Sequence, residues 1–324
     1  MARCFVTRRL PGPALDRLKA VHEVAIWQGR LPPTPTELAQ EARDAEGLLT
    51  LLTDRVDESL LDQLPKLRAI SNYAVGYDNV DLDGATRRDI PVGHTPDVLT
   101  DATADLTFAL LLAAARRLPE ALAAAQAGDW VTWEPAKHLG HEVYGAMLGI
   151  IGFGRIGRAV AERSRGFAMR VLTATAKQGL SEPVKSLLRE ADFVSLHCPL
   201  TPETHHLIDA EALELMSPTA ILINTARGPI VDPQALKDAL ERGQIAAAAL
   251  DVTEPEPLPA GDPLLTTPNL IITPHVGSAT RAARERMAEL AVDNLLAALQ
   301  GSPMPHQANP GVGVGMRVAG TEAT

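Results

Sequence analysis

The sequence predicts an α/β protein built from two doubly wound parallel-sheet domains, one inserted into the other. Short apolar runs bounded by turn residues alternate with helical patterns along the whole chain, as successive βα units require. The 324 residues suit two domains and suffice for a sizeable core. Aromatic residues make up only 3%, and the 46% hydrophobic content leans on Ala, Leu, Val and Ile. That composition suits helices packed on aliphatic parallel strands better than an aromatic-rich β-sandwich.

In the first series, strands are expected at Arg3–Thr7, Glu23–Ile26, Gly47–Leu51 and Arg68–Asn72, with a short one at Pro91–Gly93. Helices fall between them, around Pro13–Ala20, Thr36–Ala42, Glu58–Leu64 and Asp81–Arg88. Thr36 and Asp57 stand where side-chain N-caps are wanted. The run DATADLTFALLLAAARR, Asp101–Arg117, reads as one long helix buried on most sides and therefore as a junction between domains. A looser segment with Trp130 and Trp133 follows. Second-series strands are expected at Met147–Ile151, Met169–Thr173, Asp192–Leu196, Ala220–Asn224, Ala247–Val252 and Leu270–Thr273, enough for a complete dinucleotide-binding sheet. An amphipathic helix over Ala279–Gln300 is longer than a local βα unit needs and is expected to return to the first domain. The Gly- and Pro-rich stretch after it is expected to end in disorder.

Forty acidic against thirty basic residues give a net charge of −10, which argues against a nucleic-acid partner. No apolar run is long enough to span a bilayer, and MARCFVTRRLPGP lacks the apolar core of a signal peptide. With only Cys4 and Cys198, a disulfide framework is not expected. The expectation is a cytoplasmic protein that binds no membrane.

Gly152, Gly154 and Gly157 in LGIIGFGRIGRAVA have the G-x-G-x-x-G spacing, directly after an apolar strand and at the start of an amphipathic helix. The first glycine permits the tight turn, the second a close approach of backbone to pyrophosphate, and the third close helix–strand packing. The amides of Arg155 and Ile156 then point at the anion with the helix dipole behind them. The two βα series predict that both domains are Rossmann-like or flavodoxin-like. After the next strand, an NAD-selective site would carry Asp or Glu for the ribose 2′-OH. Here the residues are Thr173-Ala174-Thr175-Ala176-Lys177. Thr175 donates a hydrogen bond and Lys177 supplies positive charge, so NADPH is expected over NADH, with NADH still usable.

Three ionisable residues fall at expected carboxyl ends of strands: Arg227 in ILINTARGPIVD, Glu256 in AALDVTEPEPL and His275 in LIITPHVGSAT. Ligands of open α/β sheets bind beyond those ends. An arginine can clamp a carboxylate bidentately, a histidine can protonate a carbonyl oxygen as hydride arrives, and a neighbouring glutamate orients that histidine and favours its charged form. Each alone also has a structural reading: Arg227 as a capping cation, Glu256 as one more acid in its loop, His275 as a residue before a cap at Ser278.

These segments, with SNYAVGYDNVDLDGATRR, HTPDVLTDATADLTFALLLAAARR and ADFVSLHCPLTPETHHLID, resemble the D-isomer-specific 2-hydroxyacid dehydrogenases, most closely the glyoxylate/hydroxypyruvate reductase branch. The resemblance is strong over about Ala45–Gln300. It implies hydride transfer between a nicotinamide dinucleotide and a small 2-oxo acid. Arg227 would bind the substrate, His275 would be the proton donor and Glu256 its partner. Val75 and Gly76 would hold the substrate carboxylate on backbone amides, and Leu52 would line the same pocket. For the cofactor it implies Thr103, the turn Phe153–Ile156, Thr175–Lys177, the segment Thr225, Ala226 and Arg227, and His275 through Gly277, with Asp251 on the nicotinamide carboxamide. Trp133 resembles a tryptophan that reaches the neighbouring subunit's active site, which implies a homodimer. The dinucleotide domain would be an insertion over 100–287, the substrate domain 1–99 with 288–324, and the active site would use residues of both.

Two departures stand out. The stretch between Thr175 and Glu190 is shorter than in the family, which bears on the placement of the 2′-phosphate contacts. Thr253 also replaces the family's usual aromatic after AALDV. His197-Cys198 and His205-His206 invite a metal reading, but no further Cys or His lies at zinc-finger intervals and there is no H-E-x-x-H, so no metal is expected. His197 through Thr204 is read as the turn over the nicotinamide side, and Cys198 as an unreactive buried thiol. Asp78, Asp81 and Asp83 read as a turn and helix start. Competing functions are oxidation of another small acid or oxyanion, such as D-lactate or phosphite, and a dinucleotide-sensing corepressor.

Overall fold

In the computed structural model, which describes residues 1–312, the chain forms two compact units. One comprises Met1–Leu99 and the chain from Ala279 onward; the other is Thr100–Ser278. The expected end of the insertion, after residue 287, lies inside a helix. The chain crosses at Ser278 instead, because the whole helix Arg281–Leu299 packs within the first unit.

The first unit contains β1 (Arg3–Val6), α1 (Ala14–Lys19), β2 (Glu23–Ile26), α2 (Pro35–Glu41), β3 (Gly47–Thr50), α3 (Glu58–Gln63), β4 (Ala69–Asn72), α4 (Leu82–Arg87) and β5 (Val92–Gly93). Its five parallel strands run in the order β2-β1-β3-β4-β5, the flavodoxin-like arrangement whose switch point lies between β1 and β3. β3 and β4 are buried along their full length, which is why GLLT and AISN show no apolar–polar alternation. α2 starts two residues earlier than a cap at Thr36 suggests. Thr34 is the cap: its hydroxyl accepts from the Glu37 amide at 3.3 Å, and the Glu37 carboxylate accepts from the Thr34 amide at 2.8 Å. Asp57 caps α3 as expected.

The second unit contains α5 (Thr100–Ala115), α6 (Leu118–Gln126), β6 (Met147–Ile151), α7 (Arg155–Ser164), β7 (Arg170–Ala174), α8 (Glu182–Glu190), β8 (Phe193–Leu196), α9 (Ala210–Leu215), β9 (Ile221–Asn224), α10 (Pro233–Glu241), β10 (Ala247–Leu250) and β11 (Leu270–Ile272). The six parallel strands lie in the order β11-β10-β9-β8-β6-β7. The six expected strands are present, but only one flanks β6 on the β7 side, and the series extends on the other. The switch point sits at the carboxyl end of β6, where the glycine loop begins.

α5 belongs wholly to this unit. It lies on the sheet near β9 and β10 and beside α7, where Arg163 donates to Asp105 at 2.6 Å and to Asp101 at 3.1 Å. The long helix expected to run through Arg117 stops at Ala115, because Arg117 takes a left-handed φ of 51°. α6 then begins with Pro119 in its first turn, an element the sequence reading merged into a loose segment.

Each sheet is covered on both faces. In the first unit one face carries α1 and α11 (Arg281–Leu299), burying Leu15, Leu18, Ala288, Val292 and Leu295, and the other carries α2–α4, burying Leu38, Leu60, Leu61 and Ala85. In the second, α8–α10 cover one face and α5 with α7 the other. α11 also leads into residues 301–312, which return to β5. There the buried Asn309 accepts from the Val92 amide at 2.8 Å and donates to the Ile90 carbonyl at 3.0 Å. The expected disordered end of the tail lies outside the described residues.

Candidate active site

The glycine loop has the geometry its spacing demands. Gly152 has a φ of 97°, and a Cβ there would meet the Cys198 amide nitrogen at 2.4 Å. At Gly157 a Cβ would lie 2.3 Å from the Gly152 carbonyl oxygen, so the helix packs on its own loop without room for a methyl group. A Cβ on Gly154 would meet nothing within 4 Å. Gly154 is also the N-cap of α7 and contributes no side-chain cap, and the first intrahelical bond is Arg158 N–H to Gly154 C=O at 3.0 Å. The first turn of α7 therefore presents the positive end of a helix directly after the loop, which fits a pyrophosphate. Beside it, the Arg158 guanidinium lies 4.8 Å from the centre of the half-exposed Phe153 ring.

At the end of β7, Ala174 and Ala176 are buried while Thr175 and Lys177 are exposed. No carboxylate occurs from Thr173 to Leu180. The pattern leaves one hydroxyl and one ammonium at the position where a ribose-binding acid would stand.

The catalytic candidates come together in the same unit. His275 Nδ1 and Glu256 Oε1 are 2.6 Å apart, with both side chains about 30% exposed. The other Glu256 oxygen accepts from the Thr253 amide at 3.3 Å, and the Thr253 hydroxyl donates to the Pro255 carbonyl at 2.8 Å. Thr253, which replaces the usual aromatic, thus shapes the turn that holds Glu256. With Nδ1 turned to Glu256, Nε2 is the nitrogen left for an incoming ligand.

His275 has a φ of 53°, and its amide bonds to the Asp251 carbonyl at 2.9 Å. The Asp251 carboxylate, buried at 1% exposure, accepts from the Thr273 hydroxyl at 2.6 Å, the Val276 amide at 2.8 Å and the Gly277 amide at 2.7 Å. A Cβ on Gly277 would lie 3.2 Å from Asp251 Oδ2 and 3.4 Å from the Thr103 hydroxyl, so these three residues are immediate neighbours. One turn along α5, the Thr107 hydroxyl bridges the Thr103 carbonyl at 2.8 Å and the Thr225 hydroxyl at 3.0 Å.

Arg227 follows β9 in a turn built by Asn224. The buried Asn224 amide donates to the Arg227 carbonyl at 2.8 Å, and its oxygen accepts from the Ala226 amide at 3.0 Å. A Cβ on Gly228 would lie 1.9 Å from the Thr253 carbonyl oxygen. The arginine turn and the Glu256 turn therefore touch backbone to backbone.

In the first unit, Leu52, Val75 and Gly76 follow the carboxyl ends of β3 and β4. Two asparagines join these loops. Asn72 donates to the Gly76 carbonyl at 3.0 Å and accepts from the Thr50 hydroxyl at 3.0 Å; Asn79 donates to the Leu51 and Asp54 carbonyls at 3.0 and 2.8 Å. His94 Nδ1 lies 2.9 Å from the Val75 carbonyl. Sequence reading passed over Thr107, Asn224, Asn72 and Asn79. The T-x-x-x-T spacing in α5 and an asparagine closing each of two buried strands were the available signals.

His197 bonds to the Ser195 hydroxyl at 2.8 Å, and burial pushes its pKa down to about 4. Burial pushes the Cys198 thiol up to about 11, which keeps it protonated and weakly reactive. Trp133 and Trp130 are exposed at 80% and 78%, on the segment after α6. No helix among the described residues is long and apolar enough to cross a membrane.

Two doubly wound sheets, a glycine loop at a helix start and an Arg/Glu/His set are features shared with dinucleotide-dependent oxidoreductases of the two-domain kind. Residues 108–277 match the family model for the NAD-binding domain of D-isomer-specific 2-hydroxyacid dehydrogenases. A glyoxylate reductase of Korarchaeum cryptofilum is 46% identical over 317 residues, covering 95% of this chain and 96% of the relative. Among solved structures, the TT0316 protein of Thermus thermophilus superimposes with a TM-score of 0.88 at 50% identity, covering 94% of this chain and 99% of that one. An NADPH-dependent glyoxylate/hydroxypyruvate reductase of Sinorhizobium meliloti gives a TM-score of 0.83 at 32% identity, covering 96% and 99%. The chain belongs to the D-isomer-specific 2-hydroxyacid dehydrogenase family.

Proposed function

We propose that the protein reduces small 2-oxo acids, glyoxylate and hydroxypyruvate first, to glycolate and D-glycerate, with NADPH as the preferred reductant. The observation that carries the reading is the His275–Glu256 contact of 2.6 Å, beside the turn that bears Arg227. Relatives that are glyoxylate reductases at about 46% identity over nearly the whole chain support the substrate class.

When bound, the dinucleotide supplies the hydride. Arg227 clamps the substrate carboxylate and the adjacent carbonyl oxygen, and the Val75 and Gly76 amides with Leu52 are further proposed substrate contacts. His275 Nε2 gives its proton to the carbonyl oxygen as negative charge develops there, while Glu256 fixes Nδ1 and stabilises the imidazolium before transfer. Gly152, Gly154 and Gly157 seat the pyrophosphate with Phe153, Arg155 and Ile156. Thr103, Thr225, Ala226, Asp251 and Gly277 are assigned to the nicotinamide half, and Thr175, Ala176 and Lys177 to the 2′-phosphate. The solvent-facing Thr175 and Lys177, with no acid between Thr173 and Leu180, favour NADPH.

We assign the exposed apolar residues Leu118, Leu122, Trp130, Val131, Trp133 and Leu139 to contact with a second copy of the chain, with Trp133 reaching the partner's site. A monomer at micromolar concentration in analytical ultracentrifugation would contradict this. A cytoplasmic location belongs to the same reading, consistent with two buried free cysteines.

Oxidation of NADPH by a panel of 2-oxo acids, for the wild type and for His275→Gln, tests the reaction. Glyoxylate and hydroxypyruvate should lead the panel. The variant should lose about 100-fold or more in kcat. Near wild-type kcat in the variant, or turnover of only D-lactate or phosphite in the reverse direction, would overturn the assignment.

A further inference from the structure

The tertiary structure gives the His205-His206 pair a third ligand that its sequence spacing does not contain. Glu254 comes from the turn after β10, 48 residues beyond His206, and its Oε2 lies 2.8 Å from His206 Nε2. Its other oxygen, Oε1, is 3.9 Å from His205 Nε2. The two imidazoles stack with ring centres 4.0 Å apart, so both Nε2 atoms approach one carboxylate from the same side. All three ligand atoms lie within 4.8 Å of one another.

We propose that His205, His206 and Glu254 form a binding site for a divalent transition-metal ion, Zn2+ foremost. Two imidazoles and a carboxylate are a donor set that zinc accepts, with a fourth position left for water. Ligand atoms about 2.0–2.2 Å from one ion are about 3–3.5 Å apart. The His206–Glu254 separation is within a few tenths of an ångström of that already, and His205, with its side chain 51% exposed, can turn to close the remaining gap.

The backbone around the site is held in place. The His206 amide bonds to the Pro229 carbonyl at 2.8 Å, and Ile208 pairs with Val231 just beyond. The turn before it is closed by Thr204, whose hydroxyl accepts from the Thr201 amide at 2.8 Å and donates to the Pro199 carbonyl at 2.7 Å. Glu254 sits one residue after Thr253, whose hydroxyl bonds to the Pro255 carbonyl. An ion would therefore join two turns that are already ordered, and ligand placement would need little backbone change.

The site is distinct from the proton-donating pair, because Glu256 faces His275 and Glu254 faces His206. Titration calorimetry of the full chain with Zn2+, and visible absorption with Co2+ as a spectroscopic substitute, test the proposal. The wild type should bind one ion with the intense Co2+ bands of a low-coordinate site. His275→Gln should bind as the wild type does. His205→Ala and Glu254→Gln should each weaken binding by about tenfold or more and lose the bands. If Glu254→Gln fails to fold, the half-exposed His205→Ala decides alone. Absence of a one-to-one site in the wild type, or wild-type affinity in His205→Ala, overturns the proposal.

Discussion

Asp251 Oδ2 accepts the Gly277 amide at 2.7 Å while Oδ1 takes the Val276 amide at 2.8 Å, so one buried carboxylate grips the backbone directly after His275. With the Thr273 hydroxyl as third donor, three of the roughly four acceptor positions of Asp251 are used inside the protein. The residue proposed to touch the nicotinamide carboxamide therefore also sets where His275 stands. In Asp251→Asn an amide group would face a backbone N–H, donor against donor. The expected cost is about 1–3 kcal/mol, read as a lower urea midpoint, together with a fall in kcat larger than the rise in KM for NADPH. Unchanged kcat with only KM raised would limit Asp251 to cofactor binding.

The three glycines of the loop separate folding from binding. Gly154→Ala places its methyl group in open space, so the fold should keep its wild-type melting temperature while KM for the dinucleotide rises. Gly152→Ala and Gly157→Ala drive a Cβ to 2.4 and 2.3 Å from backbone atoms and should destabilise the second unit by about 2 kcal/mol or more. Thermal melts without ligand, set beside dinucleotide titrations, distinguish the two behaviours.

Cofactor selectivity should follow Thr175 and Lys177. Lys177→Ala should lower kcat/KM for NADPH by about tenfold and leave NADH nearly unaffected, because one charge-assisted contact to a phosphate is worth about 1.5–3 kcal/mol at most in partly exposed surroundings. Thr175→Asp should reverse the preference. A wild type tenfold or more selective for NADH would show that the loop is read by other residues.

Stability should decline on the acid side through His197. Its folded pKa, lowered by burial from 6.5 to about 4, means that the unfolded chain binds the proton more readily. The neutral form in the fold therefore gives full stability above about pH 6.5, and stability falls as pH drops from there towards 4, by about 3 kcal/mol for a shift of this size. His22, lowered by burial in the first unit, acts in the same direction. In His197→Asn the urea midpoint should change less between pH 6.5 and 4 than in the wild type. Equal slopes would assign the acid sensitivity elsewhere.

Much of this was legible from local pattern. Fully buried strands such as ILIN and FVSL read as apolar runs, and nearly all strand bounds agree with the sequence reading to one or two residues. The cap of α2 is Thr34 and not Thr36, and the local signal for it was the Thr34-x-x-Glu37 spacing of a capping box, which Thr36, followed three residues on by Ala39, lacks. α6 was missed because the break at Arg117 is a single left-handed residue with no glycine to announce it.

Local pattern carries the alternation of strands and helices, the glycine loop after β6, the lack of an acid after β7, and the candidate set Arg227, Glu256 and His275. These depend on residues adjacent in the chain, where periodicity and side-chain chemistry act directly. Tertiary structure decided how those residues are held. Asn72 and Asn79 tie the β3 and β4 loops, Asn224 shapes the arginine turn, Asp251 grips the residues after His275, and Glu254 meets His206 from 48 residues away. Parallel β-sheets place the carboxyl ends of strands side by side whatever their distance in sequence. Hydrogen-bond partners between those ends follow from strand order, which no local pattern records.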